Sequence, residues 1–153
     1  MPLKYSAGLL LYRFRGPATE VMLVHPGGPY WKNKDEGAWS IPKGEFSPPE
    51  DPIVAARREF FEETGVVVKG DLNALKPVRQ PGGKIVHAWA VEGDLDVATI
   101  VSNTFEIEWP PHSGRLQSFP EVDRGDWFVR PEAERKIVRG QAPLLAELAQ
   151  ILR

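Results

Sequence analysis

The chain has 153 residues, 42% of them hydrophobic and 26% charged, with a net charge of −2 and no cysteine. That length suits one domain with a buried core. The missing thiols exclude disulfides, thiolate zinc sites and cysteine nucleophiles, and the near-neutral charge leaves no general basic surface for nucleic acid or membrane. The apolar run near the N-terminus is too short to span a bilayer, and no cleavage-type signal follows it, so a cytoplasmic protein is expected.

"YSAGLLLYRF" (5–14) and "EVMLVHP" (20–26) predict two strands joined by the turn "RGPAT". A Gly- and charge-rich loop (27–37) follows, then an extended piece, "AWSIPKG" (38–44), ended by Pro42 and Gly44. Asp51 as N-cap and Pro52 at the first helical position start a helix that should run to about Thr64, with Gly65 as its stop. "KIVHAWAVEG" (84–93) reads as a buried strand and "NTFEIEWP" (103–110) alternates like another. "DWFVRPEAERKIVRG" gives a strand end and a short helix. "QAPLLAELAQILR" is a terminal amphipathic helix with Leu144, Leu145, Leu148, Ile151 and Leu152 on its apolar side. Nothing divides the chain by composition, so residues 1–153 are expected to form one mixed α/β domain.

The helix over 51–64 carries an oddity. Glu59, Glu62 and Glu63 sit at i, i+3 and i+4 and share one face. Two of them fall in the last turn, where the helix dipole is already negative. Like-charge pairs cost about 0.2–0.5 kcal/mol each, and acids at this dipole end about 0.3–1 each. Arg58, four residues before Glu62, returns a few tenths, leaving a penalty of roughly 1–3 kcal/mol against a typical total of 5–15. Ala55 and Ala56 beside the acids leave room for something to approach. Ile53 and Phe60 on one sector, with Val54 and Phe61 opposite the acids, predict a helix gripped on two sides. For three glutamates alone, a solvated face is the better account; a bound cation would offset the cost.

The surroundings decide between the two. Gly44, five residues, Glu50, seven residues, Arg58-Glu59-Phe60, one residue, Glu62-Glu63, one residue, Gly65-Val66 resembles the Nudix box, the signature of hydrolases acting on a nucleoside diphosphate linked to another moiety. All seven invariant-type positions match, a coincidence of roughly one in 10⁸ per starting point from average composition. Phe60 departs from the box, standing where the family prefers an aliphatic residue. The resemblance implies a Nudix α/β/α sandwich with a mixed central sheet, and Mg²⁺ as cofactor with Mn²⁺ as the alternative. It implies Glu59 and Glu63 as principal metal ligands, Glu62 as a ligand or close neighbour, and a backbone carbonyl near Lys43 or Gly44. Arg58 would orient the acids and Glu50 would tie the loop to the helix, with Gly44, Glu50 and Gly65 as structural box positions. The base in such enzymes comes from the box helix or from another loop; of Glu106, Glu108 and Glu121, the last is the candidate chosen for extra ligand or base.

Lys43 precedes the box and is a candidate phosphate contact. Tyr30 and Trp31 are candidates to stack on a base, Arg115 to meet an anionic substrate, and Trp39 is expected in the core. His25, His87 and His112 lack ligand spacing and are expected to be structural or at the surface. "WSIPKGE" is similar to enzymes cleaving dinucleoside polyphosphates or inositol pyrophosphates, whereas Pro81, fifteen residues after Val66, has a spacing associated with ADP-ribose pyrophosphatases. A small phosphorylated substrate is therefore expected, in the order nucleotide or dinucleoside polyphosphate, nucleoside diphosphate sugar, inositol pyrophosphate. No nucleic-acid or membrane partner is expected, and a homodimer is common in such families. A non-catalytic Nudix-fold sensor and a plain acidic-helix interaction module are the competing classes; a sensor typically loses box acids.

Overall fold

The computed structural model describes residues 4–152. Strand β1 (Tyr5–Arg15) is the central element. It runs parallel to β6 (Ile85–Glu92) along one edge, from the Tyr5–Ile85 pair to Tyr12–Glu92. Two strands share its other edge, both antiparallel: β3 (Lys43–Phe46) along Tyr5–Gly8 and β2 (Ala18–Pro26) along Tyr12–Arg15. Beyond β2 lies β9 (Val122–Val129), while β4 (Asn73–Ala74) and β5 (Val78–Arg79) both pair with β6. The sheet is mixed, as expected.

β2 and β3 therefore splay apart at Leu9–Leu11, and the backbone before β3 fills part of the gap. The Leu9 amide donates to the Pro42 carbonyl at 3.2 Å, and Ser40 and Val24 exchange both backbone hydrogen bonds. Gly8 has no alternative here: a Cβ would come within 2.5 Å of the Pro42 carbonyl oxygen and 2.6 Å of the Lys43 Cβ.

Side chains of β1 alternate between two cores. Ala7, Leu9 and Leu11 pack with Ala55, Ala56 and Phe60 of helix α1 (Pro52–Thr64). Leu10 and Tyr12 face Leu144, Leu145 and Leu148 of α3 (Ala142–Ile151) and Ala133 of α2 (Arg130–Lys136). Burial on both faces is why β1 reads as an unbroken apolar run, and it produces the α/β/α sandwich. The α1 ends are as read: the Asp51 carboxylate accepts from the Ile53 amide at 2.8 Å, and Gly65 takes the left-handed conformation with φ 76°.

Three details differ from the sequence reading. Val54 and Phe61 are 58% and 51% exposed; α1 is gripped on one side only, because the sheet beneath it is its sole partner layer. Ile151 likewise faces solvent at 44% exposure, and the expected helix end at Arg153 lies outside the described residues. The alternating strand over 103–110 exists as β7 (Thr104–Glu108), but it pairs with an unforeseen β8 (Leu116–Pro120) in a separate two-stranded hairpin rather than in the main sheet. Its alternation records a half-buried ribbon, which looks the same in sequence as a sheet strand. Trp39 is in the core as expected, 4% exposed, its indole donating to the Asp35 carboxylate at 2.8 Å.

Candidate active site

The box residues meet where the start of β3 crosses the C-terminal half of α1. Gly44 is the crossing point: a Cβ there would lie 1.9 Å from Glu59 Oε2. Only glycine lets the Glu59 carboxylate sit against the strand backbone. Arg58 organises the acids from the other side. Its guanidinium grips both oxygens of Glu50 at 3.0 Å, and a third nitrogen donates to Glu59 at 2.9 Å and to Glu62 at 3.0 Å. Arg58 thus balances three carboxylates at once, more than the single helical pair foreseen from spacing. Glu63 turns the opposite way and accepts from the Lys43 amide at 3.2 Å.

These contacts commit one oxygen of each helical acid. Among the described residues, Glu59 Oε2, Glu62 Oε1 and Glu63 Oε2 have no hydrogen-bond partner, and no three acidic or histidine side chains close into a ligand cage. The result is an open edge of hard oxygen donors. It fits a cation such as Mg²⁺, which keeps several waters and takes one or two carboxylates besides substrate phosphate. Glu59, only 8% exposed, rules out a solvated acidic face.

Electrostatics agree with this chemistry. Burial pushes the Glu63 carboxyl up to about 8; Lys43 opposes the rise through its charge and its amide, while Glu121 and Glu59 add to it. Glu59 is raised by burial and by Glu62, against Arg58. Glu121 is raised by burial and by Glu62, against Lys43. Burial draws the Lys43 ammonium down, and Lys84 adds to that, while Glu63, Glu59 and Glu45 hold it up. Carboxyls held above their ordinary range, beside a lowered lysine, leave the site short of positive charge.

A cavity of about 240 Å³ opens beside the acids, between the end of β2 and the segment leading to β3. Lys43, Glu63, Glu121 and Trp31 line it together, so four residues singled out from sequence converge. Tyr30 stands outside, edge-on to Trp109 with ring centroids 5.2 Å apart. Arg115 lies at the tip of the β7–β8 hairpin and does not line the cavity. Glu108 is spent on that hairpin, accepting from the His112 and Gly114 amides, and Glu106, on β7, does not line the cavity. His25 is structural: fully buried, it meets Asp123 at 3.0 Å and the Lys34 carbonyl at 2.6 Å.

Sequence reasoning missed the cavity's polar wall. Gln141, fully buried, accepts from the Ile41 amide at 3.0 Å and donates to Ser40 at 3.0 Å and to Gln80 at 3.1 Å. Three residues up to 101 positions apart carry no shared pattern; the one local signal was a polar residue just before the apolar stretch that opens the terminal helix.

Comparison with known proteins points the same way. The family model described as the NUDIX domain matches residues 2–148. Among solved structures, a C. elegans Ap4A hydrolase binary complex is 22% identical, with 98% of each chain covered and a TM-score of 0.65. The NUDIX domain of Shewanella oneidensis NrtR, complexed with ADP ribose, is 15% identical over 100% of this chain and 90% of that one, with a TM-score of 0.69. RenU, a Nudix hydrolase from M. smegmatis, is 20% identical over 97% and 86%, with a TM-score of 0.62. With the family match spanning nearly the whole chain and the box geometry intact, the chain belongs to the NUDIX domain family.

Proposed function

We propose that this chain hydrolyses a diphosphate linkage in a nucleotide or dinucleoside polyphosphate, using Mg²⁺ or Mn²⁺ held by Glu59, Glu62 and Glu63. The observation that carries this is the Arg58 clamp, which fixes Glu59 and Glu62 while leaving a free oxygen on each. When bound, such a cation neutralises the diphosphate and acidifies a coordinated water.

The chain's own groups supply the rest. Gly44 and Arg58 fix the Glu59 oxygens, so little reorganisation is needed when substrate arrives. Lys43, lining the cavity between Glu63 and Glu121, is placed to meet phosphate oxygens. Glu121, on the same cavity and raised by burial and by Glu62, is the proposed base: it takes a proton of the attacking water as the water oxygen bonds to one phosphorus, and the bridging P–O bond breaks with its oxygen leaving on the other phosphate. Trp31 offers the base a stacking face at the cavity mouth. Among the described residues no helix is long and apolar enough to cross a membrane, in keeping with a soluble phosphorylated substrate.

The test is product analysis by mass spectrometry. The protein with Mg²⁺ is offered nucleoside triphosphates, dinucleoside polyphosphates, ADP-ribose and an inositol pyrophosphate, with Glu63→Gln as control. Cleavage of the first two classes, lost in the variant, is the expected result. Cleavage of ADP-ribose alone would move the substrate to the nucleoside diphosphate sugars. Turnover of none would refute catalysis on these linkages and favour a ligand sensor.

A further inference from the structure

The polar wall of the cavity has a fixed hydrogen-bond polarity. The Ile41 amide can only donate, so the Gln141 oxygen must face it, at 3.0 Å. That orientation points the Gln141 amino group at Ser40 and Gln80, and it donates to both. Ser40, accepting from Gln141, spends its own proton on the Ile41 carbonyl at 2.7 Å. Gln80 is therefore held with its oxygen toward Gln141, and its amino group is left over. Among the described residues that amino group has no partner, and Gln80 lines the cavity with Lys43 and Trp31. The side chain is also confined: it crosses Gly140, where an added Cβ would stand 3.0 Å from the Gln80 Cγ. A backbone amide thus sets the polarity of a side chain two hydrogen bonds away, and the group Gln80 has left to offer a ligand is a donor.

We propose that Gln80 is a specificity residue that reads a carbonyl on the nucleobase, with Gln141 as the positioning residue that keeps the Gln80 donor facing the substrate. The proposal rests on the nucleotide hydrolysis proposed above and names its base class: 6-keto purines and 4-keto pyrimidines over their amino counterparts. At about 240 Å³ the cavity is smaller than a typical site for a drug-sized ligand, so it suits a single ring system beside the diphosphate. A keto oxygen would accept from Gln80, whereas the amino group of adenine or cytosine would set donor against donor and leave both unpaired. A donor set against a donor loses its hydrogen bond at the contact, which is costly enough to discriminate.

Steady-state kinetics on GTP, ATP, UTP and CTP with Mg²⁺ tests this. The expected wild-type result is a kcat/KM for each keto base about tenfold or more above its amino partner. Gln80→Glu replaces the donor by an acceptor and should erase or invert that ratio, mainly through KM. Gln141→Glu keeps the acceptor for Ile41 but can no longer donate to Gln80, freeing its amide to turn its oxygen outward; it should move the ratio in the same direction. Should Gln141→Glu not fold, Gln80→Glu and Gln80→Leu, at a partly exposed position, carry the test alone. A wild-type ratio near one, or a ratio unchanged in a folded Gln80 variant that still turns over, would overturn the base-reading role while leaving hydrolysis standing. Cleavage of none of the four nucleotides would refute the hydrolysis of nucleoside triphosphates and this inference with it.

Discussion

Glu63→Gln separates a metal site from a decorative acidic face. Glutamine keeps the shape of Glu63 and its acceptor for the Lys43 amide and removes only the charge. In the metal-free protein the carboxyl titrates at about 8 rather than 4.5, chiefly because it is buried. A raised folded pKa means the native state binds more protons than the unfolded one. Stability from this group is then fully present below about 4.5 and is lost as pH rises through about 8. The displacement, with the opposition of Lys43 already contained in it, corresponds to about 4–5 kcal/mol at most; solvent screening at the half-buried Glu63 leaves about 1–2 kcal/mol. For a chain of this size each kcal/mol moves the melting temperature by about 2–4 °C. In EDTA at pH 9 the variant should therefore melt about 2–8 °C above wild type, and at pH 5 within about 2 °C of it. Adding Mg²⁺ at pH 9 should close the gap by raising wild type more than the variant. Equal differences at pH 5 and pH 9, or a variant less stable at both, would refute the reasoning.

Gly44→Ala should force Glu59 off its oxygen position, since the new Cβ lies 1.9 Å from Oε2; kcat should fall about 100-fold with a stability loss of about 1–3 kcal/mol, read from kinetics and denaturant melts. Arg58→Ala breaks contacts to Glu50, Glu59 and Glu62; after solvent screening it should cost about 1–2 kcal/mol and most of the activity. Arg58→Lys should recover less than half of either loss, because an ammonium cannot hold Glu50 by both oxygens and reach two more acids; a lysine variant equal to wild type would sink this account.

The legible parts of the fold share one property: their signals are local. Asp51-Pro52 and Gly65 fixed both ends of α1 because capping is decided within a turn or two. The apolar run over 84–93 marked a buried strand, which is β6, because burial shows in the segment's own composition. Val54 and Phe61 misled because a helix wheel shows which side chains share a sector but not whether a layer exists to cover it. β7 misled similarly: a two-residue alternation specifies a half-buried ribbon and is silent about its partner, here β8.

The candidate site divides along the same line. Its acidic half, Gly44 to Gly65, is contiguous, so its spacing survives intact in the sequence. Glu121 came within reach because an acid at a turn is conspicuous beside an acidic helix. The wall opposite is assembled from Ser40, Gln80 and Gln141, each ordinary in its own segment and informative only when three elements meet. This split has a physical basis. Holding a cation needs several like charges on one rigid element, and that leaves a visible oddity in the chain. Reading a base needs one correctly oriented amide, and orientation is a property of the folded neighbours. In the proposed function the reaction is written in one helix and its strand, while the proposed selectivity depends on contacts between segments 61 and 101 residues apart.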